Sequence, residues 1–466
     1  MKEACGVVGI VAPGRTVAHW CFDALFALQH RGQESCGMAT YDGEEITVVK
    51  DNGLVSSVFD ESTLLSLSGS FVIGHTRYST SGSANWTAAQ PVYRSAGSSG
   101  FALGHNGNLT NTRELAALAG MQEQTMLSDS DLLAEMLAHR VEAGQSLEKA
   151  MEDVLPLAQG AFSLVLLERG AVHGVRDPHG FRPLCLGRFG TEDAPEGWVL
   201  ASETPALDVI GASFVRELEP GEMVTITSDG VVARQLLDPA EGKEKLCIFE
   251  FVYFARPDAY LMGHQVHTTR RRMGELLATQ SHVEADIVMG VPDGGVPAAE
   301  GFAKASGIPF GYGLVKNRYI GRTFIAPDQA ARADGVRRKF NPLRENIAGQ
   351  RLVVVDDSIV RGTTTRALVQ LLRDAGAKEV HLRISSPPFK WPCYYGIDTP
   401  DRGELLAANH SLAEIREYLG CDSIEYITIE NLRAAIQLDG ECCDACLTGE
   451  YPAPTPVTIG RVGSRA

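Results

Sequence analysis

At 466 residues the chain is long enough for two or three domains, each able to bury its own core. A formal net charge of −16 argues against general affinity for nucleic acid, so any phosphate site must be a local basic patch. No apolar run approaches membrane-spanning length and Met1–Ala4 does not read as a signal peptide, so the ten cysteines point to reduced thiols, catalysis or metal in a cytoplasmic protein rather than to a disulfide framework.

Cys5 stands just before a strand-like run, Val7–Val11, and Gly6 leaves room around its sulfur. Four polar clusters follow beside apolar stretches: HRGQESCGMAT (30–40), GHTRYST (74–80), GHNGNLTN (104–111) and SDSDLL (128–133). Short strands alternating with helices across residues 5–230 predict an α+β layered domain. Taken singly, each cluster has a plain structural reading. Cys5 is a small buried hydrophobe, Arg77 a surface ion pair, Asn106–Gly107 a hairpin turn, and Asp129 a helix cap before DLLAEML. From Ala158 to Gly187 the pattern reads as strand, turn, strand and then a basic loop carrying Arg176, Asp177 and Arg182. Thr191–Gly197 reads as a hydrophilic insertion, and Cys21, Cys36 and Cys185 are expected in the core.

In this order the clusters resemble the class II glutamine amidotransferases, an N-terminal-nucleophile family, over essentially all of residues 5–230. The resemblance implies that Met1–Ala4 is a propeptide whose removal makes Cys5 the first residue. Its α-amino group, with a pKa of roughly 7.7–8.0, then serves as base for the adjacent thiol without a histidine. Asn106 and Gly107 match the family's oxyanion pair, an amide side chain and a backbone N–H. Arg77 would clamp the α-carboxylate of glutamine and Asp129 its α-ammonium, while Gly32 would let the backbone approach the nucleophile.

Charge and turn formers accumulate over residues 228–246, which places a domain boundary there and divides the chain into 5–235 and 236–466. Phe249, Phe251 and Phe254 form an apolar set fit either to seat one domain on the other or to fill a core. Asp286–Val291 is a buried-type strand ending in the loop Pro292-Asp293-Gly294-Gly295-Val296-Pro297. Lys316 to Phe324 follows, with three cations suited to a mobile lid, or to a solvated loop.

The most informative stretch is Leu352–Arg366, LVVVDDSIVRGTTTR. An unbroken apolar strand ends in two carboxylates, Asp356 and Asp357, and a Ser/Gly/Thr turn feeds an amphipathic helix that runs to Gly376. Ligands of open α/β sheets bind beyond the carboxyl ends of the strands. The turn offers N–H groups, hydroxyls and a helix dipole to a phosphate, and the acids suit ribose hydroxyls or a divalent cation. The stretch lacks the Gly-Lys-Ser/Thr ending of a Walker loop.

It resembles the phosphoribosyl pyrophosphate (PRPP) loop of type I phosphoribosyltransferases. That likeness implies PRPP contacts from Asp356, Asp357, Ser358, Arg361, Gly362, Thr363 and Thr364, with Mg2+ at Asp356 and Asp357. Lys316, Arg318, Tyr319 and Arg322 would form the lid over pyrophosphate. The loop at Asp293 departs from the family pattern, because Gly294 stands where a Ser or Thr usually follows the acid. Both halves together are similar to the amidophosphoribosyltransferase family along nearly the full chain. The implied fold is α/β and α+β: a layered αββα glutaminase domain, then a phosphoribosyltransferase domain with a mainly parallel sheet.

The implied activity is glutamine hydrolysis through a γ-glutamyl thioester at Cys5. Ammonia passes internally to PRPP, giving phosphoribosylamine, the first step of purine synthesis. Cys443-Asp444-Ala445-Cys446 is a C-x-x-C that alone is a redox pair or a helix turn. With Cys247 and Cys393 it matches the ligand positions of a 4Fe-4S cluster in one branch of the family, leaving Cys442 as an extra thiol and Cys421 without a role. The resemblance also implies a homotetramer inhibited by purine nucleotides, with neither nucleic acid nor membrane as partner. Two rivals fare worse. An aminosugar synthase needs a sugar-isomerase domain where the PRPP loop stands, and a silent PRPP or nucleotide sensor should have lost Cys5 or the oxyanion pair.

Overall fold

The computed structural model describes residues 5–78, 86–97, 100–121, 128–240, 244–317, 336–397, 399, 401–438 and 442–456. Met1–Ala4 and the lid residues Arg318, Tyr319 and Arg322 lie outside the described residues. The chain forms two compact units. One is drawn from Met1–Leu246, Cys393–Asp398 and Tyr451–Ala466; the other from Cys247–Pro392 and Thr399–Glu450.

The first unit is organised around β1 (Gly6–Val11), every residue of which is buried. Side chains of a strand alternate between faces. Val8 and Ile10 accordingly enter a core shared with α1 (Ala18–Ala27), while Val7 and Val11 enter a second core on the opposite face. This is why the stretch reads as continuously apolar rather than alternating. In its sheet β1 lies between β4 (Phe71–Arg77) and β10 (Pro195–Ala201). β2 (Ser35–Tyr41) and β3 (Ile46–Asn52) extend the sheet beyond β4, and β9 (Cys185–Gly190) and β11 (Ser213–Glu217) beyond β10.

A second antiparallel sheet faces the first. It runs β13 (Gly230–Gln235), β12 (Glu222–Thr227), β8 (Ala171–Arg176), β7 (Gly160–Glu168), β6 (Phe101–Leu109), β5 (Val92–Arg94). Val165, Val172, Val224 and Ile226 of this sheet meet Val7, Val11 and Ile73 of the first across a dry interior. Gly9 is required there, since a Cβ on it would stand 2.8 Å from Val172 Cγ1. The outer face of the second sheet is covered by α2 (Asp129–Glu142) and the helix Leu147–Val154, through Leu133, Leu137, Ala150 and Met151 against Phe162, Leu164 and Leu166. The layers are therefore helix, sheet, sheet, helix, as the resemblance implied. The hydrophilic stretch at Thr191–Gly197 is the turn of the β9–β10 hairpin and the start of β10. Part of the charged 228–246 stretch is β13, the edge of the second sheet.

The second unit holds a parallel sheet in the order β14 (Ile287–Gly290), β15 (Arg351–Asp356), β16 (Glu379–Ile384), β17 (Ser423–Tyr426). Leu352–Val355 have no solvent exposure. Leu352 and Val354 pack on Leu368, Leu371 and Leu372 of α5 (Thr363–Asp374). β14 feeds α4 (Val296–Ser306) and β15 feeds α5, so both turns open at the carboxyl edge of the sheet. Phe249, Phe251 and Phe254 are buried, with Phe249 edge-on to Phe389 at 5.5 Å inside the same unit, so they are core residues. Among the described residues no helix is long and apolar enough to cross a membrane.

Candidate active sites

Cys5 ends the buried strand at its amino terminus and is 8% exposed. The β1–β4 register pairs Gly6 with Thr76, so Cys5 lies beside Arg77, the last residue of β4. Burial pushes the Cys5 thiol up, partly opposed by the Tyr78 carbonyl contact and by the Arg77 and Arg31 guanidiniums, and Asp129 adds to the upward push. Arg77 and Asp129 are therefore within electrostatic reach of the sulfur. A thiol held in its neutral form needs a base, and its hydrogen bond runs to the Tyr78 carbonyl at 3.6 Å rather than to a histidine. Gly32 packs flat on the end of β4: a Cβ there would stand 2.6–2.7 Å from the Thr76 and Arg77 backbone.

Asn106 and Gly107 lie within β6, not in a hairpin turn. Asn106 has no solvent exposure, and neither its amide nitrogen nor its amide oxygen has a hydrogen-bond partner. A buried amide left unmatched in this way costs on the order of 1–3 kcal/mol, and such a group is kept where a ligand satisfies it. Gly107 has φ +155°, and a Cβ on it would stand 2.0 Å from the Ala161 carbonyl oxygen across the β6–β7 pair. Asp129 is the first residue of α2, but Ser128 is its cap, accepting from Asp131 N at 3.1 Å. The Asp129 carboxylate instead accepts from Leu109 N at 3.0 Å and Ser130 N at 2.8 Å, which fixes it beside the end of β6.

The sequence reading missed three supports. Arg31, 1% exposed, donates to the Cys5 carbonyl at 2.9 Å and pairs with Glu203 at 2.5 Å, and His30 bonds the same carboxylate at 2.8 Å. The HRG triplet around Gly32 was the available signal for this cluster. His75 on β4 donates to the His105 carbonyl at 2.9 Å, tying the two sheets together one residue before Asn106. Burial pushes the His75 imidazole down to about 3, so it stays neutral. The basic loop is an internal hub: Arg176, Asp177 and Arg182 have no solvent exposure. Burial pushes the Asp177 carboxyl up to about 6 against the pull of Arg176, and it accepts from the Phe162, His179 and Phe181 amides.

In the second unit Asp356 ends β15 and Asp357 begins the turn, both half-buried. Burial raises the Asp356 carboxyl well above the usual range and the neighbouring Asp357 charge adds to it. Asp357 is raised by burial too, against a 2.7 Å hydrogen bond from Ser358. Two crowded carboxylates of this kind are disposed toward a cation. Gly362, at φ +74°, precedes α5, whose first turn carries no side-chain cap and leaves the N–H groups of the Thr363–Thr365 turn available to an anion. Arg361 is exposed and paired with Glu404 at 2.8 Å. Gly294 lies against the Asp357 carboxylate: a Cβ there would stand 2.3 Å from Asp357 Oδ2, the movable end of that side chain. The 292–297 loop thus abuts the paired acids, and Lys316 pairs with Asp293 of the same loop.

The strand Leu246–Cys247 pairs with Cys442–Cys443, and Cys446 lies in the following helical turn, Ala445–Thr448. Cys247, Cys443 and Cys446 are buried. The Cys446 carbonyl accepts from the Lys390 and Trp391 amides, two residues before Cys393 in the chain. The Cys393 sulfur accepts from Tyr395 N at 3.4 Å. Among the described residues no three His, Cys, Asp or Glu side chains gather closely enough to ligate a single ion. Thiol sulfur is the donor type that iron–sulfur clusters take. Cys21, Cys36 and Cys185 are core residues, and burial pushes the Cys36 thiol up to about 12.

A family model described as "Glutamine amidotransferase domain" matches residues 75–209, and one described as "Phosphoribosyl transferase domain" matches residues 270–385. The chain is 50% identical over 469 residues to an amidophosphoribosyltransferase of Mycobacterium tuberculosis, covering 98% of this chain and 87% of that one. It is 48% identical over 463 residues to an amidophosphoribosyltransferase of Synechococcus elongatus, covering 99% and 93%. A solved glutamine PRPP amidotransferase from B. subtilis, complexed with ADP and GMP, superposes with a TM-score of 0.87 at 41% identity and covers 97% of this chain and 98% of its own.

Proposed function

From the premise that this chain belongs to the amidophosphoribosyltransferase family, we propose which of its residues carry the two half-reactions. The protein is a pentosyltransferase. It hydrolyses glutamine and uses the ammonia to displace pyrophosphate from PRPP, giving 5-phosphoribosylamine, the first committed step of de novo purine synthesis.

In the proposal, loss of Met1–Ala4 frees the α-amino group of Cys5, which takes the thiol proton as the sulfur attacks the γ-amide carbonyl of glutamine. The carbonyl oxygen gains negative charge and is received by the Asn106 amide and the Gly107 N–H, which strengthens exactly where the transition state needs it. Ammonia leaves, a γ-glutamyl thioester remains on Cys5, and water releases glutamate. Arg77 holds the substrate α-carboxylate, Asp129 its α-ammonium, and Gly32 keeps the backbone close behind. The single observation that carries this reading is the buried, unmatched amide of Asn106 on β6.

At the second site Ser358–Thr364 receives the 5-phosphate and Asp356 and Asp357 the ribose hydroxyls. Lys316, Arg318, Tyr319 and Arg322 close over pyrophosphate. Asp356 and Asp357 would hold magnesium, which would supply charge neutralisation to the leaving group. Gly294 has no side chain and contributes backbone groups only.

Cys247, Cys393, Cys443 and Cys446 are proposed to hold a 4Fe-4S cluster, which supplies a structural cross-link, because neither half-reaction moves electrons. The domains are proposed as 5–235 and 236–466 after a 1–4 propeptide. The chain is further proposed to act as a cytoplasmic homotetramer inhibited by purine nucleotides, in keeping with the ADP and GMP of the B. subtilis complex. Mass measurement of the mature amino terminus tests the base: a chain that begins at Met1 and retains full glutaminase activity overturns the α-amino mechanism.

A further inference from the structure

The oxyanion strand is held from a direction that the first 240 residues do not supply. Tyr394, Tyr395 and Gly396 belong to the first unit although they stand about 290 positions beyond Asn106 in the chain. Asn108 donates its side-chain amide to the Tyr394 carbonyl at 2.9 Å. Arg182, wholly buried, donates to the Tyr395 carbonyl from Nε at 3.1 Å and from Nη2 at 2.7 Å. Gly396 has φ +106°, and a Cβ on it would stand 3.1 Å from both Gly107 C and Arg182 Nη2. The Tyr395 ring stacks on Phe181 at 4.4 Å, and its hydroxyl accepts from Ala453 N at 3.1 Å.

The same arginine reaches the strand from the other side. Its carbonyl accepts from Ser163 Oγ at 3.0 Å and Arg176 Nε at 2.9 Å, and Ser163 is the β7 partner of Asn106. Gly107 therefore lies between β7 and a strap made by Tyr394–Gly396, with Arg182 bonded to Ser163 of β7 and to Tyr395 of the strap. Displacing Gly107 toward the strap means breaking charged, buried hydrogen bonds.

We infer that the Tyr394–Gly396 strap, anchored by Arg182 and Asn108, is a positioning element of the glutamine reaction that sets where the Gly107 N–H and the Asn106 amide meet the oxyanion. The inference rests on reading Asn106 and Gly107 as the oxyanion pair. The strap touches no substrate atom; it acts through Gly107. Its glycine is required because the approach to Gly107 leaves room for no side chain at a left-handed φ.

The test uses full-length Gly396→Ala and Asn108→Leu, with Asn106→Ala as a control. Glutaminase kcat and KM, inhibition by glutamate γ-semialdehyde, iodoacetamide alkylation of Cys5 and ammonia-dependent synthesis are measured for each. The semialdehyde adds the Cys5 thiol across its carbonyl to give a hemithioacetal, with no other reactant, and so reports the oxyanion pair directly. Gly396→Ala is expected to lower kcat about tenfold or more, since displacements well under 1 Å carry effects of that order. KM, alkylation and ammonia-dependent synthesis should stay within about twofold, and semialdehyde binding should weaken by the same factor as kcat. Soluble Gly396→Ala and Asn108→Leu proteins with unchanged kcat overturn the strap, as does a lowered Tm with kcat intact. If Gly396→Ala does not fold, Asn108→Leu decides alone: a fall in kcat with constant KM supports the strap and unchanged kcat overturns it. If Asn106→Ala itself leaves kcat unchanged, the oxyanion reading falls, and the strap's role with it.

Discussion

The groups proposed to meet glutamine come from Cys5, Gly32, Arg77, Asn106 and Asp129, which the sheet registers and one helix start bring together from five places in the chain. Those proposed to meet PRPP on its phosphate side stand on consecutive residues, Asp356 to Thr364, at one strand end. Most of the first set is buried, and the unmatched Asn106 amide is held in place within β6 before any ligand arrives. The second set is half-open, with two carboxylates whose charge is opposed by their own surroundings. Preorganisation therefore rests on register in one site and on local turn geometry plus a counter-ion in the other. A change to the first should act on a single half-reaction, while a change to the second should alter function and stability in opposite senses.

The largest expected effect separates the two sites outright. Cys5→Ser should abolish glutamine-dependent synthesis while sparing synthesis from added ammonia, assayed side by side on the same preparation. Equal loss of both activities would refute two independent sites. Asn106→Ala should lower glutaminase kcat by about 10²–10³, equivalent to roughly 2.7–4 kcal/mol, at nearly constant KM.

Asp357→Asn and Asp356→Asn should depress ammonia-dependent synthesis about tenfold or more through loss of cation and ribose contacts. Normal PRPP kinetics in both variants would remove the loop assignment. The same variants sharpen the stability half of the comparison. Both carboxyls are raised in the folded chain, so the folded state binds more protons than the unfolded one in the window above the usual aspartate value. Stability of the ligand-free protein should then fall as pH rises through that window. At neutral pH Asp356→Asn should raise Tm, on the order of 2 °C, and the gain should vanish in acid below the ordinary aspartate range, as thermal melts across pH will show. A lowered Tm at neutral pH would mean that the acids are stabilising.

The smallest effects concern the cysteines. Serine at Cys247, Cys393, Cys443 or Cys446 should give iron-poor, less soluble protein, whereas Cys442→Ser should keep its iron and its activity. Anaerobically purified protein with full activity but neither iron nor acid-labile sulfide would return the C-x-x-C to an ordinary thiol pair.

The two regions also differ in how far they could be read from sequence. Leu352–Arg366 carries strand, acids, turn and helix in one run, and the structure reproduces that order because strand, turn and helix follow one another directly along the chain. The layered glutaminase fold was legible through the alternation of short strands and helices over residues 5–230 and the order of the polar clusters. Other features were decided by tertiary structure alone. Asp129 read equally as a cap or a ligand until Ser128 was seen to cap α2. The basic loop became a hub with no solvent exposure because its arginines find carbonyl groups from β11–β12 and the strap, partners that no local pattern announces. Gly294 read as a departure from the family loop, and only the structure places it against the Asp357 carboxylate. The placement of Tyr394–Gly396 against Gly107 depends on pairing across about 290 residues, and hydrophobic periodicity carries no information on contacts at that separation. Sequence determined the chemistry each segment could offer; long-range packing decided which of those groups share one site.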